Sequence, residues 1–302
     1  MVWKIGKVIH LPAGHVEHIA YHKDGAVLVA TGGNKLYLVD ALGGSVQKTI
    51  NSETNGCRLA TPSHHPNCVF YASGLGRQDE HVDLLSVHDN CVLNRYAVKG
   101  AVTNISICMK NDSFLVSTTE GVFLFDDHGK SDKKPGSIEE TTGVLKHKNC
   151  LSCFDPEGLV FAVALVDRKQ LLLYDVANYK QGPFASFEYN NDSHGIADWG
   201  QIKFSPDGKL IFINDYSGKL LIIDSFEGDC KQVIEYGQPA HKFSADWTVD
   251  SQFLLIGSDD DKINVYAVAD GKLVDRLEGH TLYPTCVAVN PVYNSFSSAC
   301  SN

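Results

Sequence analysis

The chain has 302 residues, a formal net charge of −10 and nine cysteines. The negative charge argues against direct binding of nucleic acid, because proteins hold phosphate backbones with Lys and Arg. No apolar run reaches the roughly 18 residues of a membrane span, and the first residues lack the apolar stretch of a signal peptide. The odd number of cysteines, scattered along strand-like segments, disfavours a disulfide framework and favours a reducing compartment.

One short pattern recurs along the chain: a strand, a tight polar turn, a second strand, and a third strand that ends at Asp. The turns lie at Asp24-Gly25, Asn111-Asp112, Glu157-Gly158, Asp207-Gly208 and Asp250-Ser251. From Asn111 onward they are 46, 50 and 43 residues apart, a period that indicates stacked copies of one supersecondary unit. Four short strands per unit, with almost no helical pattern between them, are typical of β-propeller blades. The sequence therefore predicts one all-β domain over residues 1–302.

The blades can be placed in chain order by their apolar strands and by the turn residues that bound them. Seven blades are predicted, at residues 16–50, 57–98, 102–126, 151–189, 201–236, 243–278 and 285–300. The third blade lacks a well-defined outer strand, and the seventh has only two strands before the chain stops. Ile211, Ile222 and Phe253 are predicted to pack between blades.

Residues 3–9 form a strand-like segment ahead of the first blade, with no place within that blade. We expect this N-terminal strand to close the last blade as its outermost strand, because ring closure removes open sheet edges. A third strand would still be needed between it and residues 295–300. The seventh blade is therefore predicted to be incomplete: either the sequence is cut short, which is favoured, or a partner strand fills the gap.

The pattern offers little catalytic or metal-binding chemistry. Cys150 and Cys153 have the spacing of a zinc-ligand pair, but positions three apart on a strand point to opposite faces of the sheet. Residues 259–261 are three consecutive Asp without the Gly and the final Glu of a calcium loop. His15 and His280 each follow Gly before an inner strand, where such a His is expected to hydrogen-bond within its blade. We therefore predict no catalytic residue, no metal and no cofactor.

Several less generic segments follow one another in the second half of the chain. They are Phe154-Asp155-Pro156-Glu157-Gly158-Leu159, Leu173-Tyr174-Asp175, Gly182-Pro183-Phe184, Asp207-Gly208-Lys209, Ile256-Gly257-Ser258 and Ser298-Ala299-Cys300-Ser301-Asn302, with an echo at Leu85-Ser86-Val87-His88-Asp89-Asn90. In these segments the chain resembles the family of WD-repeat protein 82. It departs from the WD-repeat pattern because no Trp-Asp dipeptide ends a third strand, and Phe125-Asp126 and Tyr174-Asp175 stand there instead.

The resemblance implies a seven-bladed propeller of WD-repeat type that acts as a non-catalytic nuclear scaffold. Members of the family are subunits of COMPASS-type histone methyltransferase complexes, of a PNUTS-scaffolded protein phosphatase complex, and of RNA cleavage and termination assemblies. The implied partners are a methyltransferase subunit, a PNUTS-like phosphatase scaffold and the phosphorylated tail of RNA polymerase II, with no direct contact to nucleic acid or membrane. Two alternatives stay open: an adaptor of a cytoplasmic or trafficking complex that shares only the fold, and an enzyme with its site at the channel mouth.

Two kinds of loop lie on one face of a propeller, those that enter the inner strands and those that join the second and third strands. Loops on a rigid scaffold are where recognition residues concentrate. The candidate partner-binding residues on these loops are His15, Asn34, Arg77, Asp79, His81, Arg168, Tyr216, Asp259, Asp260 and Tyr283. Arg77 and Arg168 are the cations best placed to pair with a phosphate group. The excess of acidic residues makes a basic partner segment at least as good an electrostatic match.

Overall fold

The computed structural model of the chain describes residues 3–12, 14–52, 56–72, 81–125, 137–139, 145–189, 199–237 and 241–300. This part of the chain is all-β, with 26 strands arranged in mostly antiparallel sheets. Its helical elements are two single 3₁₀ turns, Val166–Arg168 and Tyr179–Gln181. The described residues thus contain no helix with the length and hydrophobicity that a membrane-spanning segment needs.

Within each blade, consecutive strands pair antiparallel in chain order from the inner strand outward. The strands up to the fourth blade are β1 (His18–Tyr21), β2 (Val27–Gly32), β3 (Lys35–Asp40), β4 (Ser45–Asn51), β5 (Leu59–Pro62), β6 (Cys68–Ala72), β7 (His81–Ser86), β8 (Cys91–Ala97), β9 (Val102–Ile107), β10 (Phe114–Thr118), β11 (Gly121–Phe125) and β12 (Ser137–Glu139). Blades four to six contain β13 (Cys150–Phe154), β14 (Val160–Leu165), β15 (Gln170–Asp175), β16 (Ala185–Glu188), β17 (Trp199–Phe204), β18 (Leu210–Asp215), β19 (Lys219–Asp224), β20 (Cys230–Glu235), β21 (Ala245–Trp247), β22 (Phe253–Gly257), β23 (Ile263–Ala267) and β24 (Leu273–Leu277). The last sheet contains β25 (Pro284–Val289) and β26 (Phe296–Cys300).

The prediction of an all-β propeller is confirmed, but the structure has six blades rather than seven, followed by a two-stranded seventh sheet. In the described residues the third blade has three strands, β9 to β11. The strand that follows it in the chain, β12, instead pairs in parallel with β8 at the outer edge of the second blade. The outer edge of any blade presents unpaired backbone N–H and C=O groups. The three-residue strand β12 can therefore pair with the edge of the second blade as well as with that of the third.

The recurring polar turns form as the sequence pattern predicts. Gly25 and Gly208 have φ angles of 72° and 73°, a left-handed conformation that glycine adopts without strain. At the ends of two third strands, the carboxylates of Asp40 and Asp224 each accept two backbone N–H groups of the following turn, at 2.8–3.0 Å. These hydrogen bonds lower the pKa of Asp224. The Asp at the end of the third strand therefore has a local role, which is to hold the turn into the outer strand.

Apolar side chains pack mainly between neighbouring blades. Ile211 packs with residues of blade four and Ile222 with residues of blade six, and both are almost fully buried. These two predictions are confirmed. Phe253 is only partly buried, against the seventh sheet. The predicted packing of Phe253 between blades is also confirmed, although the two-stranded sheet covers less of the ring than a complete blade would.

Inner-strand side chains join each blade to the next. The Gln201 side chain, for example, donates to the carbonyl of Ala245 at 3.0 Å and accepts from the N–H of the same residue at 2.9 Å. The ring closes between the seventh sheet and the first blade, where Asn290 Nδ2 donates to the Gly25 carbonyl at 2.7 Å. A Cβ atom at position 25 would lie 2.2 Å from Asn290 Oδ1, so this closure requires glycine.

Residues 3–9 lie beside the seventh sheet but do not form its outermost strand. The Trp3 ring packs edge-on against Phe296 of β26, with centroids 5.2 Å apart, and Ile5 lies against Gly279. No strand of the described residues runs between this segment and β26, so the segment has no neighbouring backbone at the roughly 4.8 Å spacing of paired strands. The predicted closing strand is therefore wrong as a strand, although the segment lies at the predicted edge.

His18 on β1 predicts how stability depends on pH. Its Nδ1–H donates to the Ala60 carbonyl of blade two at 3.0 Å, and although part of the side chain reaches solvent, burial lowers its pKa from 6.5 to about 4. Because the pKa of His18 is lower in the folded state, the unfolded state binds a proton more readily as the pH falls. The stability that is present above pH 6.5 is therefore lost as the pH falls toward 4. We expect the titration of His18 to lower the free energy of unfolding by up to about 2 kcal/mol when the pH is changed from 7.5 to 5.

Urea melts at the two pH values measure this effect. The His18→Gln variant cannot titrate, so it should lose less stability than the wild type on acidification. His88→Gln is the control, since the His88 side chain is 79% exposed, and it should keep the wild-type pH dependence. An unchanged pH dependence in His18→Gln would contradict the prediction.

Candidate partner-binding face

Antiparallel pairing places the start of each inner strand and the turn between the second and third strands on the same side of every blade. We call this side the loop face. The predicted residues that the structure describes on this face are His15, Asn34, His81, Arg168, Tyr216, Asp259, Asp260 and Tyr283. Two further predicted residues, Arg77 and Asp79, lie outside the described residues.

Four of the described residues lie on the first, second and fourth blades. The exposed ones are His15 and Asn34 of the first blade and Arg168 of the fourth. His81 begins β7, and its Nε2 lies 3.8 Å from the buried carboxylate of Asp83. Arg95 binds that carboxylate with two hydrogen bonds, of 2.7 and 2.8 Å, which raise the pKa of the Arg95 guanidinium. His81 therefore borders a structural ion pair of the second blade.

The other four residues lie on the fifth blade, the sixth blade and the seventh sheet, and two residues of the loop between β20 and β21 contact Tyr216 and Tyr283. Lys242 Nζ lies 5.1 Å from the centroid of the Tyr216 ring. Its neighbour His241 stacks on Tyr283, with centroids 3.7 Å apart and planes at 10°. Tyr216 also covers Gly200 so closely that a Cβ atom there would clash with the ring. The loop face thus has a pre-ordered aromatic patch, and pre-ordered side chains lose less entropy when a partner binds.

A cavity of 260 Å³ lies between the fifth and sixth blades, close to the aromatic patch. The lining residues that matter for its chemistry are Tyr236, Phe243, Asp259, Asp260, Asn264 and Arg276. Asp259 and Asp260 are exposed at its rim, and Arg276 Nη1 lies 4.0 Å from Asp260 Oδ2. The cavity is smaller than the roughly 300–1,000 Å³ of small-molecule sites, so its size suits a single side chain.

Asn264 on β23 is a cavity residue that the sequence pattern did not single out. It is 8% exposed, pairs across the strands with Arg276 of β24, and makes a hydrogen bond with Tyr266. Its Oδ1 atom is buried and has no hydrogen-bond partner in the described part of the chain. A buried acceptor left without a partner costs about 1–3 kcal/mol. The one feature of the sequence that could have pointed to Asn264 is that it is a polar residue within an otherwise apolar strand.

Cys150, Cys153 and His280, whose sequence contexts raised metal or catalytic chemistry, have structural roles. Cys150 packs toward blade three and Cys153 toward blade five, which confirms that the two sulfurs do not converge. Burial raises the pKa of each thiol to about 12, so both are protonated at neutral pH. His280 makes a 2.7 Å hydrogen bond with Ser298 of the same sheet, as predicted. No three His, Cys, Asp or Glu side chains of the described residues are grouped closely enough to hold a metal ion.

Comparison with known proteins extends the sequence resemblance over the whole chain, although no family model matches. WD repeat-containing protein 82 of Drosophila melanogaster is 29% identical over 317 aligned residues, covering 99% of this chain and 92% of the relative. COMPASS component SWD2 of Saccharomyces cerevisiae is 28% identical over 305 aligned residues, covering 95% and 88%. The chain thus resembles the family of WD-repeat protein 82 over nearly its whole length. Set1 complex component swd2 of Schizosaccharomyces pombe is also similar, with 22% identity over 86% of this chain and 72% of the relative.

Because no Trp-Asp dipeptide ends a third strand, another residue must fill the buried position that Trp occupies in the WD-repeat pattern. Phe125 and Tyr174 stand at that position and are 4% and 3% exposed. The Tyr174 ring stacks on Phe161 with centroids 5.0 Å apart and planes at 4°, and Phe125 stacks on Phe114 in the same way at 4.8 Å. A smaller aromatic ring therefore serves the same core role, which explains how the fold persists without the dipeptide.

Proposed function

We propose that the chain is a non-catalytic scaffold subunit of a nuclear Set1/COMPASS-type histone methyltransferase complex. The observation that carries the proposal is the similarity, over 99% and 95% of the chain, to a WD repeat-containing protein 82 and to a COMPASS component. A rigid ring with a patterned loop face suits a subunit that holds segments of other proteins.

The loop face supports peptide binding by its chemistry. Tyr216 and Tyr283 are partly exposed rings held in place by their neighbours, and tyrosine is enriched among the residues that dominate interface energies. The net charge of −10 favours partner segments rich in Lys and Arg, because complementary charge speeds association and selects partners.

Two finer proposals follow from the family. A PNUTS-like phosphatase scaffold would be a second partner that binds the same face. Recruitment to transcribing RNA polymerase II would bring a phosphorylated tail to this face, where Arg168 is an exposed cation able to form charge-assisted hydrogen bonds with phosphate. The support for both is the resemblance to the family, and for the second also the position of Arg168.

The test is purification of the tagged chain from nuclear extract of its own source cells, followed by mass spectrometry. We expect a Set1-type catalytic subunit to co-purify, and the purified material to methylate histone H3 while the chain alone does not. A Tyr216→Ala/Tyr283→Ala variant should recover at least fivefold less of that subunit. The control is Phe226→Ala, because Phe226 is 82% exposed on the opposite face, between β19 and β20.

Thermal melts must first show that the double variant folds like the wild type. Recovery of only cytoplasmic or trafficking proteins with the wild-type chain would contradict the proposed function. Equal recovery with the folded double variant would show instead that partners bind elsewhere than on the aromatic patch.

A further inference from the structure

We infer that the cavity between the fifth and sixth blades binds the side chain of an arginine in a partner peptide. The inference rests on the proposed function as a peptide-binding scaffold, and names the chemistry that one part of the loop face recognises.

The first argument is the unpaired acceptor. Asn264 lines the cavity, and its Oδ1 atom is buried and has no hydrogen-bond partner among the residues that the structure describes. Buried polar atoms in folded proteins are nearly always paired, so an exception calls for a specific explanation. An amide oxygen only accepts hydrogen bonds, and the missing group is therefore a donor. A ligand that brings an N–H group to this atom would remove the cost of leaving it unpaired.

The second argument is charge. The two carboxylates at the rim, Asp259 and Asp260, outnumber the one cation, Arg276. Arg276 is also placed close to Asp260 and opposite Asn264, on the side of the cavity formed by β24. The formal charge of the lining is thus negative, which favours a donor that is itself cationic. An anionic ligand would meet two carboxylates for one guanidinium.

The third argument is shape. Two aromatic rings line the cavity: Tyr236, which follows the last strand of the fifth blade, and Phe243, which precedes the first strand of the sixth. The Tyr236 hydroxyl is anchored by a 2.8 Å hydrogen bond to Asn214. The planar guanidinium group stacks on aromatic rings and presents five donors in a fixed fork, whereas an ammonium is a compact and strongly hydrated charge. An aromatic wall, an amide acceptor and two carboxylates therefore match arginine better than lysine.

The wild-type protein alone supplies the first test. Three probes are titrated by NMR: acetyl-Gly-Arg-Gly-amide, the matching lysine peptide, and the matching citrulline peptide, which keeps the shape of arginine without its charge. We expect the arginine peptide to bind at least tenfold more tightly than the citrulline peptide and at least threefold more tightly than the lysine peptide. It should also shift the side-chain amide signals of Asn264. Equal binding of arginine and citrulline, tighter binding of lysine, or tighter binding of a phosphoserine peptide would overturn the inference.

Variants then locate the binding. Asn264→Leu removes the acceptor at similar size and should weaken arginine binding at least fivefold, as should Asp259→Asn/Asp260→Asn. The matched control is Asp270→Asn, which removes one negative charge from the opposite face and should leave binding unchanged. Arg276→Met should tighten binding, because it removes the one like charge. Weaker binding by Arg276→Met, or unchanged binding by a folded Asn264→Leu, would contradict the assignment.

The two proposals fail in different ways. Arginine binding abolished by Asn264→Leu, with no Set1-type subunit recovered by the wild type, would support the cavity and contradict the proposed complex. Set1-type subunits recovered by the wild type, without selective arginine binding, would contradict the cavity alone.

Discussion

Trp247→Ala should lower the free energy of unfolding by about 3–5 kcal/mol, the cost of a large cavity in a core that cannot collapse around it. Trp247 is 1% exposed and belongs to the cluster that joins the fifth and sixth blades. Its ring lies 5.6 Å from that of Phe212, and its Nε1–H donates to the Lys203 carbonyl of the neighbouring blade at 3.3 Å. The substitution therefore removes packing and a hydrogen bond across the same interface.

Urea denaturation of the wild type and the variant measures the effect through the midpoint and the slope. Phe226→Ala is the control for loss of an aromatic ring, and because Phe226 is exposed it should change stability by no more than about 0.5 kcal/mol. A loss below about 1 kcal/mol for Trp247→Ala would show that the fifth and sixth blades do not pack as described.

Asp246→Ala should cost about 3 kcal/mol, because this buried carboxylate joins three successive sheets. On blade six, it accepts a hydrogen bond from Lys203 Nζ of blade five at 2.5 Å and another from the Val289 N–H of the seventh sheet at 2.8 Å. Its side chain is 6% exposed, whereas that of Lys203 is 49% exposed. Removing the carboxylate leaves the Val289 N–H without its partner, while Lys203 can return to water.

The two members of the pair therefore predict unequal losses. Lys203→Ala should cost less than Asp246→Ala, since the carboxylate keeps its bond from Val289, and Asp246→Ala should speed amide hydrogen exchange at Val289. The control is Asp270→Ala, which removes an exposed ion pair with Lys272 and should therefore cost much less than Asp246→Ala. Unchanged exchange at Val289 would mean that Asp246 does not hold the seventh sheet.

Turn chemistry is where sequence and structure agree most closely, because it depends on neighbouring residues. The Asp-Gly turns and the Asp at third-strand ends are explained by hydrogen bonds within a few positions, as at Asp224. The spacing of these turns was enough to predict the propeller and to place the strands of its complete blades. Alternation along a strand likewise predicted that Cys150 and Cys153 face different blades.

The sequence identified only some of the residues of the candidate site. Asp259, Asp260, Tyr216 and Tyr283 could be named because loop residues follow from strand order. Asn264 could not, because its importance comes from an unpaired oxygen, and hydrogen-bond satisfaction is a property of the folded chain. Its pairing with Arg276 depends on the register between β23 and β24, which shifts between Val265 and Tyr266.

The sequence by itself determined the all-β repeat, the polar turns and the loops that share a face, since these follow from side-chain alternation and turn chemistry over short stretches. Only the tertiary structure decided that the chain forms six blades and a two-stranded seventh sheet, that β12 pairs with the second blade, and that residues 3–9 lie beside β26 without pairing. It also decided that Tyr236, Asn264 and Arg276 meet around one cavity. These features depend on how separate sheets pack against one another, and no local pattern along the chain encodes the distances between blades.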